Sequence, residues 1–369
     1  MKLLITGGAG FIGSNFIRHI LYAHPSYKVV NYDKLTYAGN LDNLRDVELS
    51  PNYKFVKGDI ADLDRLNEVI KWNGITHIVN FAAETHVDRS IHGGAKEFVL
   101  TNTLGVQMLL DAARANKVEK MVNVSTDEVY GALELNERRK FTESTPIFPN
   151  MPYAAAKAGG DLMCQAYWAT HKTPVIVTHC SNNYGPYQYP EKIIPYFIFK
   201  AMAGEKLPVY GDGLYVRDWI HVTDHAKALD SILHKGVPGE IYNIGSDNER
   251  SNLEITKLIL KFLSKPGDHF ESVEDRPGHD RRYAIDARKT KKLGWKPDYP
   301  KERFEQGLKE TIAWYQANTA WVEALWEKAK LANPHIKVPG ERVRGVSQRD
   351  RKAAKKYVHK KRGRPKKKK

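Results

Sequence analysis

Seven residues near the start of the chain, Gly7-Gly8-Ala9-Gly10-Phe11-Ile12-Gly13, constrain its fold more than any other stretch. They follow the apolar run Leu3-Leu4-Ile5 and precede a helical pattern over residues 14–22. The spacing satisfies G-x-x-G-x-x-G and, from Gly8, G-x-G-x-x-G. Glycine there permits a tight turn and lets the backbone approach a pyrophosphate at the positive N-terminus of the next helix. Such a motif is weak alone, but a strand before it and a helix after it are the context it requires. The next apolar run, residues 28–32, ends at Asp33, 20 residues after Gly13. An acidic residue at that place takes the adenosine ribose hydroxyls and disfavours a 2′-phosphate, so NAD is expected over NADP. A plain loop carboxylate is the less favoured reading of Asp33.

The alternation continues with strands over 53–57, 75–81, 120–124 and 175–180 and helices over 63–72, about 96–115 and 153–171. Strands alternating with helices predict an α/β fold, a Rossmann-type doubly wound parallel sheet covered on both faces. Past residue 180 the pattern becomes less regular and richer in Pro, Gly and aromatics. We therefore expect an NAD-binding Rossmann domain over 1–180, with some later segments returning to it, and a smaller mixed α/β substrate-binding portion over 181–332. Apolar residues from Phe304 to Trp326 recur near helical spacing and read as packing.

Two adjacent carboxylates mark the chemistry. Ser125-Thr126-Asp127-Glu128-Val129-Tyr130-Gly131 follows the apolar strand Lys120-Met121-Val122-Asn123-Val124. Carboxylates at the carboxyl end of a buried strand are costly unless paired or used, and open α/β sheets bind ligands at those ends. Downstream, Tyr153-Ala154-Ala155-Ala156-Lys157 places a phenol and an ammonium on one helical face. The cation is expected to lower the Tyr pKa toward neutrality, and the small residues between to leave room for a ligand. Phe81-Ala82-Ala83 suits close passage of a cofactor, or equally helix-to-strand packing. Lys192, Arg217, Arg276, Arg281 and Arg282 form a set of cations suited to a diphosphate.

The net charge of +15 is local. Residues 341–369 hold 15 Lys/Arg against 2 Asp/Glu, which leaves the preceding 340 residues at +2. The stretch 333–369 cannot bury itself and reads as a disordered basic tail. Within it Arg362, Gly363, Arg364 and Pro365 resemble an AT-hook, so weak nucleic-acid contact is one reading and nonspecific polyanion contact the favoured one. The chain has no apolar run of 18 residues, so no membrane span is expected. Cys164 and Cys180 show no metal-ligand spacing; no metal is expected, and a reduced, cytoplasmic setting fits them.

Taken together, these segments resemble the dTDP-glucose 4,6-dehydratases of the extended short-chain dehydrogenase/reductase family. The matching stretches are residues 7–13, 33–41, 82–90, 125–131, 153–157, 180–187, 217–222 and 275–280, in the family's order. Thr-Asp-Glu beside the Tyr-Lys pair is the specific part; Thr85 stands where the family often has Ser. The resemblance implies a hydro-lyase that oxidises the sugar at C4, eliminates water across C5 and C6, and returns hydride to C6. It implies Tyr153 as base with Lys157 beside it, Thr126 on the 4-hydroxyl, Glu128 as base at C5 and Asp127 as acid toward the C6 hydroxyl. Implied NAD contacts are Gly7, Gly10, Phe11, Ile12, Gly13, Asp33, Lys34, Thr36, Asp59, Ile60, Ala82, Ala83, Thr101, Tyr153, Lys157 and Asn183. Implied nucleotide-sugar contacts are Thr85, Thr126, Asn182, Lys192, Arg217, Asn252, Arg276 and His279. A homodimer built through the helices at about 96–115 and 153–171 and a place in dTDP-rhamnose synthesis are further implications. The alternatives are a UDP-glucose 4-epimerase or UDP-glucose 4,6-dehydratase on the same scaffold, and a DNA-tethered NAD-binding regulator. Asp127 and Glu128 argue against an epimerase, which needs no acid–base pair for elimination.

Overall fold

The computed structural model describes residues 1–275 and 278–332. Arg276 and the stretch 333–369, including Arg362, Gly363, Arg364 and Pro365, lie outside the described residues. The first half of the chain runs β1 (Lys2–Thr6), α1 (Phe11–Ala23), β2 (Lys28–Asp33), β3 (Tyr53–Lys57), α2 (Leu63–Asn73) and β4 (His77–Asn80). Then come α3 (Val87–His92), α4 (Lys96–Val99), α5 (Val106–Ala115), β5 (Lys120–Thr126), α6 (Pro152–His171) and β6 (Val175–Cys180). The second half runs β7 (Asn182–Tyr184), α7 (Ile193–Met202), β8 (Leu207–Tyr210), β9 (Val216–His221), α8 (Val222–Lys235) and β10 (Ile241–Ile244). It closes with β11 (Glu249–Ser251), α9 (Asn252–Phe262), β12 (Phe270–Val273), α10 (Arg288–Lys291), α11 (Phe304–Ala317) and α12 (Thr319–Ala332).

Seven strands form the main sheet in the order β3-β2-β1-β4-β5-β6-β10, and every pairing in it is parallel. Strand β10, from the second half of the chain, pairs with β6 at one edge of the sheet. Alternate side chains of each strand serve opposite faces. On one face Leu3, Ile5, Val79 and Val122 meet α1 through Phe16, Ile17 and Ile20, and α8 through Leu229 and Ile232. On the other, Leu4, Ile78 and Met121 meet α2 through Leu66 and Ile70, and α5 through Leu109 and Leu110. Burying each such side chain contributes about 1.5–3 kcal/mol, and strands covered on both faces are mostly apolar, which is why they read as near-continuous runs. The order reverses between β1 and β4. That switch point opens a crevice at the carboxyl ends of the strands.

The second portion is mixed: β7 pairs parallel and β11 antiparallel with β9, and β8 pairs parallel with β12. The helix expected over about 96–115 is broken. Between α4 and α5 lies a wide π-helical turn, Leu100–Gly105. The wider turn admits an extra residue and faces Asn102 inward, where its amide accepts from Glu84 N and donates to Glu84 O, both at 3.0 Å. Such turns often sit beside functional sites, and this one holds the loop after β4. The residues Phe304, Leu308, Ile312 and Tyr315 are buried as the helical pattern required.

Candidate active site

The glycine loop is shaped by what surrounds it. Gly7 has φ +66°, and a Cβ there would sit 2.5 Å from the Ala82 backbone nitrogen. A Cβ at Gly13 would lie 2.4 Å from the Gly7 carbonyl oxygen, so this glycine lets α1 pack onto the loop. Gly10 differs: among the described residues a Cβ there would meet only Gly7 O, at 3.2 Å, so its bare face is turned away from the packed loop. Gly10 caps α1 with no side-chain hydrogen bond, and no acidic residue occupies the first turn. The N–H groups at Phe11, Ile12 and Gly13 thus keep their positive end available for a phosphate.

Asp33 closes β2. Its carboxylate accepts from Ala9 N at 2.9 Å and Leu35 N at 2.8 Å, which ties it to the glycine loop. Burial raises its pKa, and the two backbone bonds oppose that. Lys34 pairs with Asp59 at 2.6 Å. Ile60 is buried against Gly105, where a Cβ would be 2.6 Å from Ile60 Cδ1. Thr36 lies in the turn closed by Gly39 N donating to Thr36 O at 3.2 Å. Thr101 lies in the π-helical turn, and Ala82 and Ala83 follow the end of β4. The residue set therefore fits a dinucleotide: a bare glycine face, free amides at a helix N-terminus, and a carboxylate at the end of the neighbouring strand.

Across the switch point, β5 delivers Thr126, whose hydroxyl accepts from Glu128 N at 3.3 Å and caps a 3₁₀ turn over Asp127–Tyr130. Asp127 is 2% exposed, and its Oδ2 has no hydrogen-bond partner among the described residues. Burial holds its pKa well above the usual carboxylate range, Glu128 and Asp218 add to this, and Arg217 opposes it. Glu128 is less buried. Tyr153 is 7% exposed, shares a hydrogen bond with Thr126, and feels the charges of Glu128 and Asp127. The phenol and the two carboxyl groups thus meet around Thr126.

One expectation about the Tyr-Lys helix is corrected. Burial pushes the Tyr153 pKa well above its ordinary value, with Glu128, Cys180 and Asp127 adding. Lys157 does not offset this, because Nζ donates to Val124 O at 2.8 Å and its own pKa is lowered by burial. Of the small residues between them, Ala154 and Ala156 are buried, whereas Ala155 is exposed and lines a cavity with Ala158 and Gly159. Ala156 packs with Phe98 and Tyr153, and Thr103 Oγ1 donates to Ala156 O at 2.9 Å.

Of the cations, Arg217 is buried, lies 4.3 Å from the Tyr283 ring centroid and donates to Asp280 O at 3.0 Å. It also feels Asp127, so it stands near the carboxylate pair. Lys192 donates to Thr85 O at 3.1 Å, which brings those two together. Arg281 is paired with Asp212 and Arg282 with Glu249, so the expected set of ligand-facing cations shrinks. Their partners come from other elements, which spacing along the chain cannot reveal. Asn182 Oδ1 is buried without a partner among the described residues. The Asn183 amide instead donates to Ser181 O at 3.0 Å and accepts at 2.9 Å from His225 Nδ1, so its side chain serves the core. Asn252 begins α9, its N donating to Tyr215 O at 2.9 Å. His279 stacks on Tyr215 at 3.6 Å between ring centroids, with Nδ1 2.8 Å from Asp275.

A buried polar chain behind the site escaped the motif reading. Thr6 donates to Asn80, Asn80 to Asn123, and Asn123 to Asp161. Asp161 also accepts from Ser125 Oγ at 2.6 Å and faces His179 Nε2 at 3.2 Å. A signal existed: Asp161 follows Lys157 by four residues and Tyr153 by eight, on the same helical face.

The chain matches a family model described as GDP-mannose 4,6 dehydratase over residues 4–311. Low-salt glycan biosynthesis protein Agl12 of Haloferax volcanii is 52% identical over 315 residues, covering 85% of this chain and 98% of that protein. The crystal structure of dTDP-glucose 4,6-dehydratase from Bacillus anthracis in complex with NAD gives a TM-score of 0.82 at 50% identity, over 88% of this chain and 99% of that one. The dTDP-glucose 4,6-dehydratase DesIV from Streptomyces venezuelae, also with NAD bound, gives 0.84 at 46% identity, over 88% of this chain and 100% of that one.

Proposed function

The chain belongs to the nucleotide-sugar 4,6-dehydratase family whose model it matches over residues 4–311, and from that membership we propose that it converts dTDP-glucose to dTDP-4-keto-6-deoxy-glucose with NAD as its held cofactor. One observation carries the reading. A buried acid, a second carboxylate and a phenol converge on Thr126, and an elimination needs two carboxyl groups in opposite protonation states.

When bound, NAD would supply the hydride acceptor for sugar C4 and the hydride donor for C6. Gly7, Gly10, Phe11, Ile12, Gly13 and Asp33 would hold its phosphates and ribose; Tyr153 and Lys157 would face its nicotinamide half. Thr126 hydrogen-bonds the 4-hydroxyl, and Tyr153, from its phenolate form, takes that proton as C4 is oxidised. That form has to be produced with the ligands in place, because burial alone keeps the phenol protonated. The ketone so formed acidifies C5–H, which Glu128 removes. Asp127, kept protonated by its burial, gives its proton to the departing C6 hydroxyl, and water leaves. Glu128 gives the proton it took back to C5 as hydride returns to C6. Thr85, Asn182, Lys192, Arg217, Asn252 and His279 are the proposed nucleotide-sugar contacts, with Arg276 assigned on the sequence alone.

The deciding experiment incubates the protein and NAD with dTDP-glucose, and in parallel with UDP-glucose, and reads the products by mass spectrometry. Loss of one water from dTDP-glucose supports the assignment. An isobaric product would establish an epimerase and overturn it, and faster turnover of UDP-glucose would move the substrate to the uracil series.

Exposed Val99, Leu104 and Leu162 on the α4–α6 face support a homodimer, which sedimentation would test. Two buried, free cysteines support a cytoplasmic setting; no described helix is long and apolar enough to cross a membrane. Contact of Arg362, Gly363, Arg364 and Pro365 with nucleic acid would show as A·T-preferring duplex binding that persists at physiological salt.

A further inference from the structure

The end of α1 remote from the glycine loop meets α8 at a cluster that the dehydration chemistry does not use. Asp230 of α8 is approached by three imidazoles. His19 Nε2 lies 2.8 Å from its Oδ2, His24 Nε2 lies 3.0 Å from both oxygens, and His234 Nδ1 lies 2.9 Å from its Oδ1. The ligand atoms of His24, Asp230 and His234 all fall within 4.8 Å of one another, and each residue is half-buried. His19 and Asp230 stand 211 positions apart in the chain.

Two features make this a ligand set more than a chance meeting of polar groups. A cation about 2.1 Å from each ligand needs ligand atoms roughly 3.4 Å apart. The Asp230 oxygens lie 2.9 and 3.0 Å from the His234 and His24 nitrogens, so a slight opening of three groups already within 4.8 Å of one another would admit it. His234 is also oriented from behind, because Tyr27 OH lies 2.8 Å from its Nε2 and so turns Nδ1 toward the carboxylate. Ligating histidines ordinarily have such an outer hydrogen bond. His24 is held by stacking on Tyr27 at 4.6 Å and by His234 at 4.8 Å. Nδ1 of His234 also lies 2.8 Å from the Asp230 carbonyl oxygen, a bond that a cation would replace.

We propose that His24, Asp230 and His234 form a three-ligand binding site for a divalent transition cation, with Zn²⁺ as the prime candidate, that fastens the end of α1 to α8, while His19 holds the Asp230 carboxylate by its Oδ2. Imidazole ligands with one carboxylate suit Zn²⁺, Cu²⁺ or Ni²⁺ and disfavour the hard cations Mg²⁺ and Ca²⁺. The ligands join chain segments more than 200 residues apart, so the bound cation acts as a staple of the fold that carries the glycine loop. It takes no part in proton transfer at Thr126.

The test uses the full chain, stripped by a chelator and titrated with Zn²⁺ by calorimetry, beside a His24→Gln/His234→Gln double variant and an Mg²⁺ control. The expected result is one equivalent of Zn²⁺ that the double variant loses or binds at least tenfold more weakly. A hundredfold excess over Kd should raise the wild-type unfolding midpoint by roughly 4 °C, with no rise from Mg²⁺. Equal stoichiometry and affinity in both proteins, or an equal effect of Mg²⁺, would overturn the site. Should the double variant fail to fold, Co²⁺ on wild-type protein gives the answer: intense visible bands displaced by one equivalent of Zn²⁺ support the site, and their absence refutes it.

Discussion

Asp161 Oδ2 accepts a hydrogen bond from Ser125 Oγ at 2.6 Å, fastening the middle of α6 to the last turn of β5. Through this bond the helix that carries Tyr153 and Lys157 is set against the strand that delivers Thr126. Asp161 also favours the charged form of Lys157 against the effect of burial.

Replacing Asp161 by Ala strands Ser125 Oγ, Asn123 Nδ2 and His179 Nε2 in a dry interior. The expected loss is about 3–5 kcal/mol of stability, read by denaturant titration. Asp161→Asn keeps the shape and some acceptors, so it should lose less. If both variants unfold at the wild-type midpoint, the buried chain is not holding the site together.

Gly10 and Gly13 should respond differently to the same methyl group. Gly13→Ala puts a Cβ 2.4 Å from a backbone oxygen and should destabilise the fold by about 1–3 kcal/mol. Gly10→Ala meets only Gly7 O at 3.2 Å, so it should fold nearly normally yet bind NAD at least tenfold more weakly. Thermal unfolding and NAD titration of the two variants separate the effects, and parallel losses in both would contradict the distinct roles.

Asp127→Asn with Glu128→Gln should slow water loss by about 10²–10⁴-fold while some C4 oxidation persists, seen as bound NADH. Asp127→Asn alone carries a second signature. A carboxyl whose folded pKa is raised contributes stability that is complete below its unfolded value and is lost as pH rises toward the folded one. The Asn variant should therefore gain on wild type at pH 8 and not at pH 4. Tyr153→Phe should instead suppress NADH formation.

Acid should unfold the protein through its buried imidazoles. Burial lowers His225 from 6.5 to about 3 and His221 from 6.5 to about 4. His225 Nδ1 donates to Asn183, and its Nε2 has no partner among the described residues. The unfolded chain binds these protons first, so stability should fall as pH drops from 6.5 toward 4, by up to about 1.4 kcal/mol per pH unit for each histidine. His225→Gln should flatten that slope in denaturant titrations made at each pH.

The strand–helix alternation, the glycine loop, Asp33 and the Thr126–Lys157 set were legible because each is local. Contiguous residues carry their periodicity, and a short motif carries its own geometry. Helix 96–115 was misread because Asn102 turns inward to the Glu84 backbone, 18 positions away, and the helix widens to let it.

By itself, then, the sequence determined a doubly wound sheet with a dinucleotide cradle and a Thr-Asp-Glu/Tyr-Lys set at the strand ends. Only the tertiary structure decided which charges are free to act. Arg281 and Arg282 are consumed by Asp212 and Glu249, Lys157 turns to Val124 O, and burial raises both Tyr153 and Asp127. Local chemistry is written in neighbouring residues, whereas desolvation and ion pairing depend on groups that meet only after distant segments pack.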